Sequence, residues 1–169
     1  MSAADAMLSI RLAPALLLLA SVAVIATALL SQYVGGLQPC ELCLLERWPY
    51  YIAIAATLLA IWNGHLRAVR AVLALSGLIF VASGALAAYH VGVEQHWIQG
   101  PTACTGGLAQ ASSPEALLRA LQERQPVQCD VVQWSFMGLS LAGLNLIVSL
   151  ALMGFSFWAL KRSMESAPR

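Results

Sequence analysis

Four long, mainly apolar stretches of the chain contain no Asp, Glu, Lys or Arg, and this pattern predicts four membrane-spanning helices. The stretches cover residues 12–40, 48–66, 71–93 and 131–160. Each is about long enough to cross a hydrocarbon core of about 30 Å, because an α-helix rises about 1.5 Å per residue. We therefore predict an all-α integral membrane protein, a four-helix transmembrane bundle that forms a single domain over residues 1–169.

The predicted spans cover residues 12–31, 42–63, 71–90 and 135–158. The first is longer than the apolar core of a signal peptide, which holds about 7 to 15 residues. The second has to begin well before Pro49, since residues 49–63 alone would give a helix of only about 22 Å. Pro49 is then expected inside the helix, where it would produce a kink. Asn145, near the middle of the fourth span, is interpreted as an interhelical hydrogen-bonding residue.

The distribution of basic residues predicts the orientation of the bundle. Short cytoplasmic connections carry an excess of Lys and Arg. One side holds Arg11, Arg67, Arg70, Lys161, Arg162 and Arg169, whereas the other holds Arg47, Arg119 and Arg124. Both termini are therefore expected in the cytoplasm, and the loops 32–47 and 91–133 are expected outside. Within the second loop, Ser113-Pro114-Glu115 resembles a helix start and predicts a short amphipathic helix at the membrane surface.

The composition supports a membrane protein and excludes two other classes. Apolar residues make up 60% of the chain and charged residues 10%, whereas a soluble domain is roughly 25% charged. A net charge of +1 argues against a nucleic-acid-binding protein, which would carry a basic face. Neither a soluble globule nor a nucleic-acid partner is expected.

All four cysteines, Cys40, Cys43, Cys104 and Cys129, lie in the two outer loops. The space outside a bacterial inner membrane permits disulfides. Structural bridges are one interpretation, which suits Cys104 with Cys129 because they enclose 24 residues. The C-x-x-C spacing of Cys40 and Cys43 is instead typical of a redox-active dithiol. A four-cysteine zinc site is disfavoured because the second pair lacks this spacing, and no metal site is predicted.

Two further residues lie where they could assist the C-x-x-C. If residues 40–47 are helical, Cys40, Cys43 and Arg47 share one face. The Arg47 guanidinium would then stabilise a thiolate at Cys43, although it could instead extend to the membrane surface. His90 closes the third span on the same side, where it could hydrogen-bond a carbonyl ligand or simply lie in the interface.

Residues 39–47 read Pro-Cys-Glu-Leu-Cys-Leu-Leu-Glu-Arg, which resembles the P-C-x-L-C-x-x-E-R signature of the bacterial disulfide bond formation protein B (DsbB) family. The resemblance extends to the four spans, to a C-x-x-C that precedes a distant cysteine pair, to Tyr89-His90 at the end of the third span, and to the Gly-Leu run after Cys129. It is already established that DsbA, DsbB and quinone together keep the bacterial periplasm oxidising. The resemblance therefore implies a quinone-dependent protein thiol oxidase of the bacterial inner membrane.

The resemblance also implies a role for each cysteine. A reduced cysteine of a periplasmic DsbA-like thioredoxin-fold protein would attack Cys104. Cys129 would then attack the Cys40–Cys43 disulfide at Cys40, and Cys43 would pass electrons to a membrane quinone, either ubiquinone or menaquinone. The residues implied to hold and polarise this quinone are Arg47 and His90.

Other functions remain open from the sequence. The partner could be a specialised protein rather than a general oxidase, or the chain could be a structural membrane protein with two non-catalytic disulfides. Vitamin K epoxide reductase relatives are also quinone-linked thiol proteins, but their loop cysteines precede the C-x-x-C, which is the reverse of the order here.

Overall fold

The computed structural model describes residues 3–101, 113–115, 118 and 127–165. Five helices have both ends within these residues: α1 (Ala3–Tyr33), α2 (Glu41–Leu45), α3 (Trp48–Asn63), α4 (Leu66–Glu94) and α5 (Leu141–Glu165). A two-stranded antiparallel hairpin, β1 (Ser135–Phe136) and β2 (Leu139–Ser140), precedes α5. Its strands pair Ser135 with Ser140 and Phe136 with Leu139.

The helices form the predicted transmembrane bundle. Four segments are long and apolar enough to cross a membrane: Leu12–Tyr33, Glu41–Asn63, Leu66–Glu94 and Leu141–Glu165. Helix α4 makes its most extensive contact with α5, and α1 with α3. The C-terminal end of α4 contacts both the start of α2, through His90 and Cys40, and the start of α5, through Glu94 and Ser140. The two outer connections, α1 to α2 and α4 to α5, therefore lie at the same end of the bundle. The prediction of an all-α protein with four transmembrane helices is confirmed.

The second span differs from its prediction near Pro49. Helix α2 ends at Leu45 and α3 begins at Trp48, so the chain makes a turn at Glu46 and Arg47. Pro49 lies in the first turn of α3, where the missing backbone N–H would have had no helical partner. Glu46 and Arg47 keep right-handed helical backbone angles, so the Glu41–Asn63 span is interrupted in the turn before Pro49, where the kink was expected.

The fourth span begins later than predicted. The sequence indicated residue 135, but α5 begins at Leu141 because residues 135–140 form the hairpin. Met137 and Gly138 turn this hairpin with φ angles of 53° and 81°. A positive φ is readily adopted by glycine, and Gly138 therefore permits the tight turn. The third span is also longer than predicted, since α4 covers Leu66–Glu94.

Apolar side chains of the four spans meet in one central core. Its buried members include Leu17, Leu73 and Phe80. A Cβ added at Gly77 of α4 would lie 2.7 Å from ring atoms of Phe157 of α5. The absence of a side chain at Gly77 thus allows these helices to approach closely, as small residues do in membrane bundles.

Only part of the short helix expected after Ser113 lies within the described residues. Pro114, Glu115 and Leu118 are helical, and Leu118 is exposed. The remainder of the expected helix, like Cys104, lies outside the described residues.

Candidate functional site

The C-x-x-C lies at the end of the bundle that carries both outer connections. Cys40 is the N-cap of α2, and its Sγ accepts a hydrogen bond of 3.2 Å from the backbone N–H of Cys43. Cys40 is 3% exposed, whereas Cys43 is half-buried, and both are free thiols. Hydrogen bonds from Cys43, first from its thiol and then from its backbone, lower the pKa of the Cys40 thiol against the opposing effect of burial. In the reduced dithiol, ionisation is therefore favoured at Cys40.

His90 of α4 lies directly beside this dithiol. Its Nε2 is 3.6 Å from Cys40 Sγ, and its Nδ1 is 2.8 Å from Glu46 Oε1. Both His90 and Glu46 are buried. Because a carboxylate only accepts hydrogen bonds, Nδ1 carries the proton in this pair and Nε2 is directed at the thiol. His90 thus lies within the bundle beside Cys40 rather than in the membrane interface.

A chain of hydrogen bonds continues from Glu46 into the bundle. Asn145 of α5 donates to Glu46 Oε2 over 2.8 Å and accepts from the Tyr50 hydroxyl over 2.5 Å. The Tyr50 hydroxyl also lies 3.2 Å from Ser149 Oγ, which is 2.9 Å from Ser83 Oγ. These contacts join α3, α4 and α5, so the interpretation of Asn145 as an interhelical hydrogen-bonding residue is confirmed.

Sequence reasoning gave no role to Glu46 or Tyr50. A usable signal existed for Glu46, because an acid at the start of a membrane-entering segment is by default a functional candidate. Tyr50 offered no such signal, since a tyrosine near a membrane interface is common for reasons of packing alone.

Arg47 contacts α1 rather than a cysteine. Its Nη1 donates a hydrogen bond of 2.8 Å to Oε1 of Gln32. Helix α2 ends at Leu45, and Glu46 and Arg47 follow it as a turn with right-handed helical backbone angles. Arg47 and Cys43 nevertheless line the same cavity.

This cavity has a volume of about 370 Å³ and lies among α1, α3, α4 and α5. Small-molecule sites typically have volumes of about 300 to 1,000 Å³ and are mostly apolar with a few polar groups. Apolar side chains of α1 and α5 form much of the wall, and the polar groups gather at one end. The lining includes Gln32, Cys40, Cys43, Glu46, Arg47, His90, Cys129, Trp134 and Asn145.

Cys129 lies in the same buried cluster as the C-x-x-C. It is 1% exposed and packs with Cys40, Leu42 and Val93. Cys129 is disulfide-bonded, in contrast to the free thiols of Cys40 and Cys43. The structure therefore brings three of the four cysteines together at one cavity.

Two free thiols lie next to a disulfide-bonded cysteine at the end of a transmembrane bundle. Such an arrangement is suited to thiol–disulfide exchange. The fold and the site thus define an integral-membrane thiol–disulfide oxidoreductase. The family described as disulfide bond formation protein DsbB matches residues 10–159. The chain belongs to the DsbB family, as the nonapeptide predicted, and its function is disulfide bond formation.

Individual relatives resemble the chain over most of its length. A disulfide bond formation protein B of Acinetobacter baumannii is 30% identical over 92% of this chain and 93% of its own. Disulfide bond formation protein B 1 of Pseudomonas aeruginosa is 32% identical over 82% and 86%. An uncharacterized protein of Rickettsia prowazekii is 26% identical over 80% and 78%. No solved structure matches the chain.

Proposed function

We propose that the chain is a quinone-dependent protein thiol oxidase of the bacterial inner membrane. It reoxidises a periplasmic DsbA-like thioredoxin-fold protein and passes the electrons to ubiquinone or menaquinone. The observation that carries this proposal is that Cys40, Cys43 and Cys129 line one largely apolar cavity within a membrane bundle. The excess of basic residues on the side of the termini supports a cytoplasmic location for both termini and a periplasmic location for the cysteines.

Electrons enter through the cysteines of the second outer loop. A thiolate of the partner attacks Cys104 of a Cys104–Cys129 disulfide, which forms a mixed disulfide and releases Cys129 as a thiolate. The second thiol of the partner resolves this mixed disulfide, so the partner leaves oxidised and has given up two electrons and two protons. Thiolates are the attacking species in each exchange.

Electrons then move from the second loop to the C-x-x-C. Cys129 attacks Cys40 of a Cys40–Cys43 disulfide, and Cys43 leaves as a thiolate. Attack by Cys104 on the resulting Cys129–Cys40 bond restores the loop disulfide and leaves Cys40 and Cys43 reduced. The shared burial of Cys129 and Cys40 in one cluster supports this transfer. Cys129 is in a disulfide, and Cys40 and Cys43 are thiols. In the proposed cycle this is the state before the quinone reoxidises Cys40 and Cys43.

The cavity residues fit a quinone as the final acceptor. Its apolar wall suits a lipid-soluble ring, and its polar end presents a guanidinium and an imidazole to carbonyl oxygens. A bound quinone supplies a two-electron acceptor that also takes up two protons. Gln32 orients the Arg47 guanidinium, and Glu46 accepts the Nδ1 N–H of His90, so a second proton at Nε2 would let this imidazole donate to a carbonyl oxygen. Arg47 and His90 would therefore hold the quinone next to Cys43.

The proposal is tested by mixing purified protein in detergent with a reduced thioredoxin-fold dithiol protein and a soluble quinone analogue, without oxygen. Loss of quinone absorbance that requires all four cysteines is the expected result. No loss, with both cysteine pairs resistant to mild reductant, would instead indicate a structural protein. No loss with readily exchanging disulfides would indicate a dedicated partner.

Substituting Arg47 with alanine is expected to weaken quinone use. A hydrogen bond to a charged group contributes about 1.5 to 3 kcal/mol, so the apparent KM for quinone should rise about 10- to 100-fold. Steady-state rates measured against quinone concentration give this value. Arg67→Ala is the matched control, because Arg67 is an exposed arginine at the opposite end of α4. An unchanged KM in Arg47→Ala would contradict the assignment.

A further inference from the structure

We propose that the reduced site binds a thiophilic divalent cation of the zinc class through Cys40 Sγ, Cys43 Sγ and His90 Nε2. These three atoms lie within 4.8 Å of one another. Binding would require only the reduced dithiol and the imidazole. It therefore goes beyond the proposed function and does not depend on the identity of the electron acceptor or the partner.

The observed spacing is close to that of a tetrahedral zinc site. Zinc lies about 2.3 Å from a thiolate sulfur and about 2.0 to 2.1 Å from an imidazole nitrogen, so tetrahedral angles place the two ligand atoms about 3.6 Å apart. Cys40 Sγ and His90 Nε2 are 3.6 Å apart. Two sulfur ligands would lie about 3.8 Å apart by the same geometry. Because all three atoms lie within 4.8 Å of one another, the two distances from Cys43 Sγ have to shorten by at most about 1.2 Å to close the site.

The imidazole is already oriented as a metal-ligating histidine would be. Such histidines usually give their other ring N–H to a carboxylate, which fixes the tautomer and the direction of the ligating nitrogen. Glu46 Oε1 lies 2.8 Å from His90 Nδ1, and Asn145 in turn donates to Glu46 Oε2. The nitrogen directed at Cys40 is therefore the one that can bind a cation once it carries no proton.

The charges at the site also suit a divalent cation. Two thiolates neutralise its charge, which matters because an uncompensated charge is costly in a buried site. The backbone N–H of Cys43 further stabilises negative charge on Cys40 Sγ. All three ligand residues line the cavity, which leaves a fourth position accessible to water. Two cysteines, one histidine and a water form a known type of open zinc site.

Cation binding would hold the enzyme in its reduced form. Coordination displaces one proton from each thiol and moves no electrons, so two protons are released for each cation bound. The coordinated sulfurs are then withheld from disulfide formation, and the cation acts as an inhibitor. When Cys40 and Cys43 form a disulfide, neither sulfur is a thiolate and the site is lost.

The site is tested by titrating the reduced full-length protein with Co²⁺ in detergent without oxygen. We expect one Co²⁺ per chain, with a sulfur-to-cobalt charge-transfer band and the intense visible bands of tetrahedral coordination, and we expect Zn²⁺ to abolish both. His90→Ala should weaken binding about 10- to 100-fold, as loss of a ligand or its support commonly does. His65→Ala should bind as the wild type does, because His65 is exposed at the opposite end of α4.

Two further samples distinguish this site from other ligand sets. The protein oxidised at Cys40 and Cys43 should give no cobalt spectrum, and reduced Cys40→Ser/Cys43→Ser should give none although it retains the other two cysteines. Equal binding by oxidised and reduced protein would overturn the proposal. Binding unaffected by His90→Ala would also overturn it and would indicate a site built from cysteines alone. The measurement is spectroscopic, so failure of quinone reduction would not affect it.

Discussion

Replacement of Cys43 with serine is expected to reduce the rate of quinone reduction more than about 1,000-fold, because losing one essential member of a catalytic unit has effects of this size or larger. In the proposed relay Cys43 leaves as a thiolate when Cys40 is attacked, and it lines the cavity with Arg47. Serine retains the shape of the side chain but cannot form the Cys40–Cys43 disulfide. The rate is measured from quinone absorbance with a reduced dithiol partner in excess.

The second cysteine pair provides an internal control for this variant. Cys104 and Cys129 are unchanged, so Cys43→Ser should still form a mixed disulfide, visible on a non-reducing gel, with a partner whose second cysteine is replaced by serine. A variant that forms this complex but reduces no quinone has kept its fold and lost only the later electron transfer. Quinone reduction at the wild-type rate would show that Cys43 is not the electron donor.

The substitution Glu46→Gln is expected to lower quinone reduction about 10- to 100-fold, the usual effect of removing a residue that orients a functional histidine. The two carboxylate oxygens of Glu46 face one donor each, His90 Nδ1 and Asn145 Nδ2. A glutamine has only one oxygen, so one of these buried donors loses its acceptor. The free energy of unfolding should fall by about 1 to 3 kcal/mol for the same reason.

Thr57→Val is the matched control for Glu46→Gln. Thr57 is a buried polar residue of α3 whose hydroxyl donates to backbone oxygens of its own helix, those of Ala53 and Ile54. The Thr57→Val variant should retain the wild-type rate of quinone reduction. If Glu46→Gln lost stability but kept full activity, Glu46 would have only a structural role and the positioning of His90 by Glu46 would be refuted.

The local pattern of the sequence was sufficient for the transmembrane architecture. A membrane leaves no water to satisfy backbone groups, so long apolar stretches can cross it only as helices or as closed barrels, and their length indicates helices here. The spacing of Cys40 and Cys43 likewise indicated redox chemistry, because a C-x-x-C is a local property of the chain. The nonapeptide around these cysteines, residues 39–47, indicated the DsbB family.

Local pattern was not sufficient at the ends of the spans. The turn at Glu46 and Arg47 interrupts a segment whose composition is compatible with a continuous helix, and the hairpin before α5 occupies residues predicted to be helical. Both features redirect the chain at the end of the bundle that holds the site. At the first of them, the Arg47 side chain donates a hydrogen bond to Gln32 of α1, a partner that the sequence did not indicate.

The tertiary structure alone decided which side chains meet. His90 lies 50 positions from Cys40, and Asn145 lies 99 positions from Glu46, yet each pair is in contact. Periodicity and spacing relate residues only within a few turns of one helix, whereas these contacts depend on how α3, α4 and α5 pack against one another. The sequence thus determined the four spans and the reactive dithiol, while helix packing determined the acid, imidazole and amide that surround it.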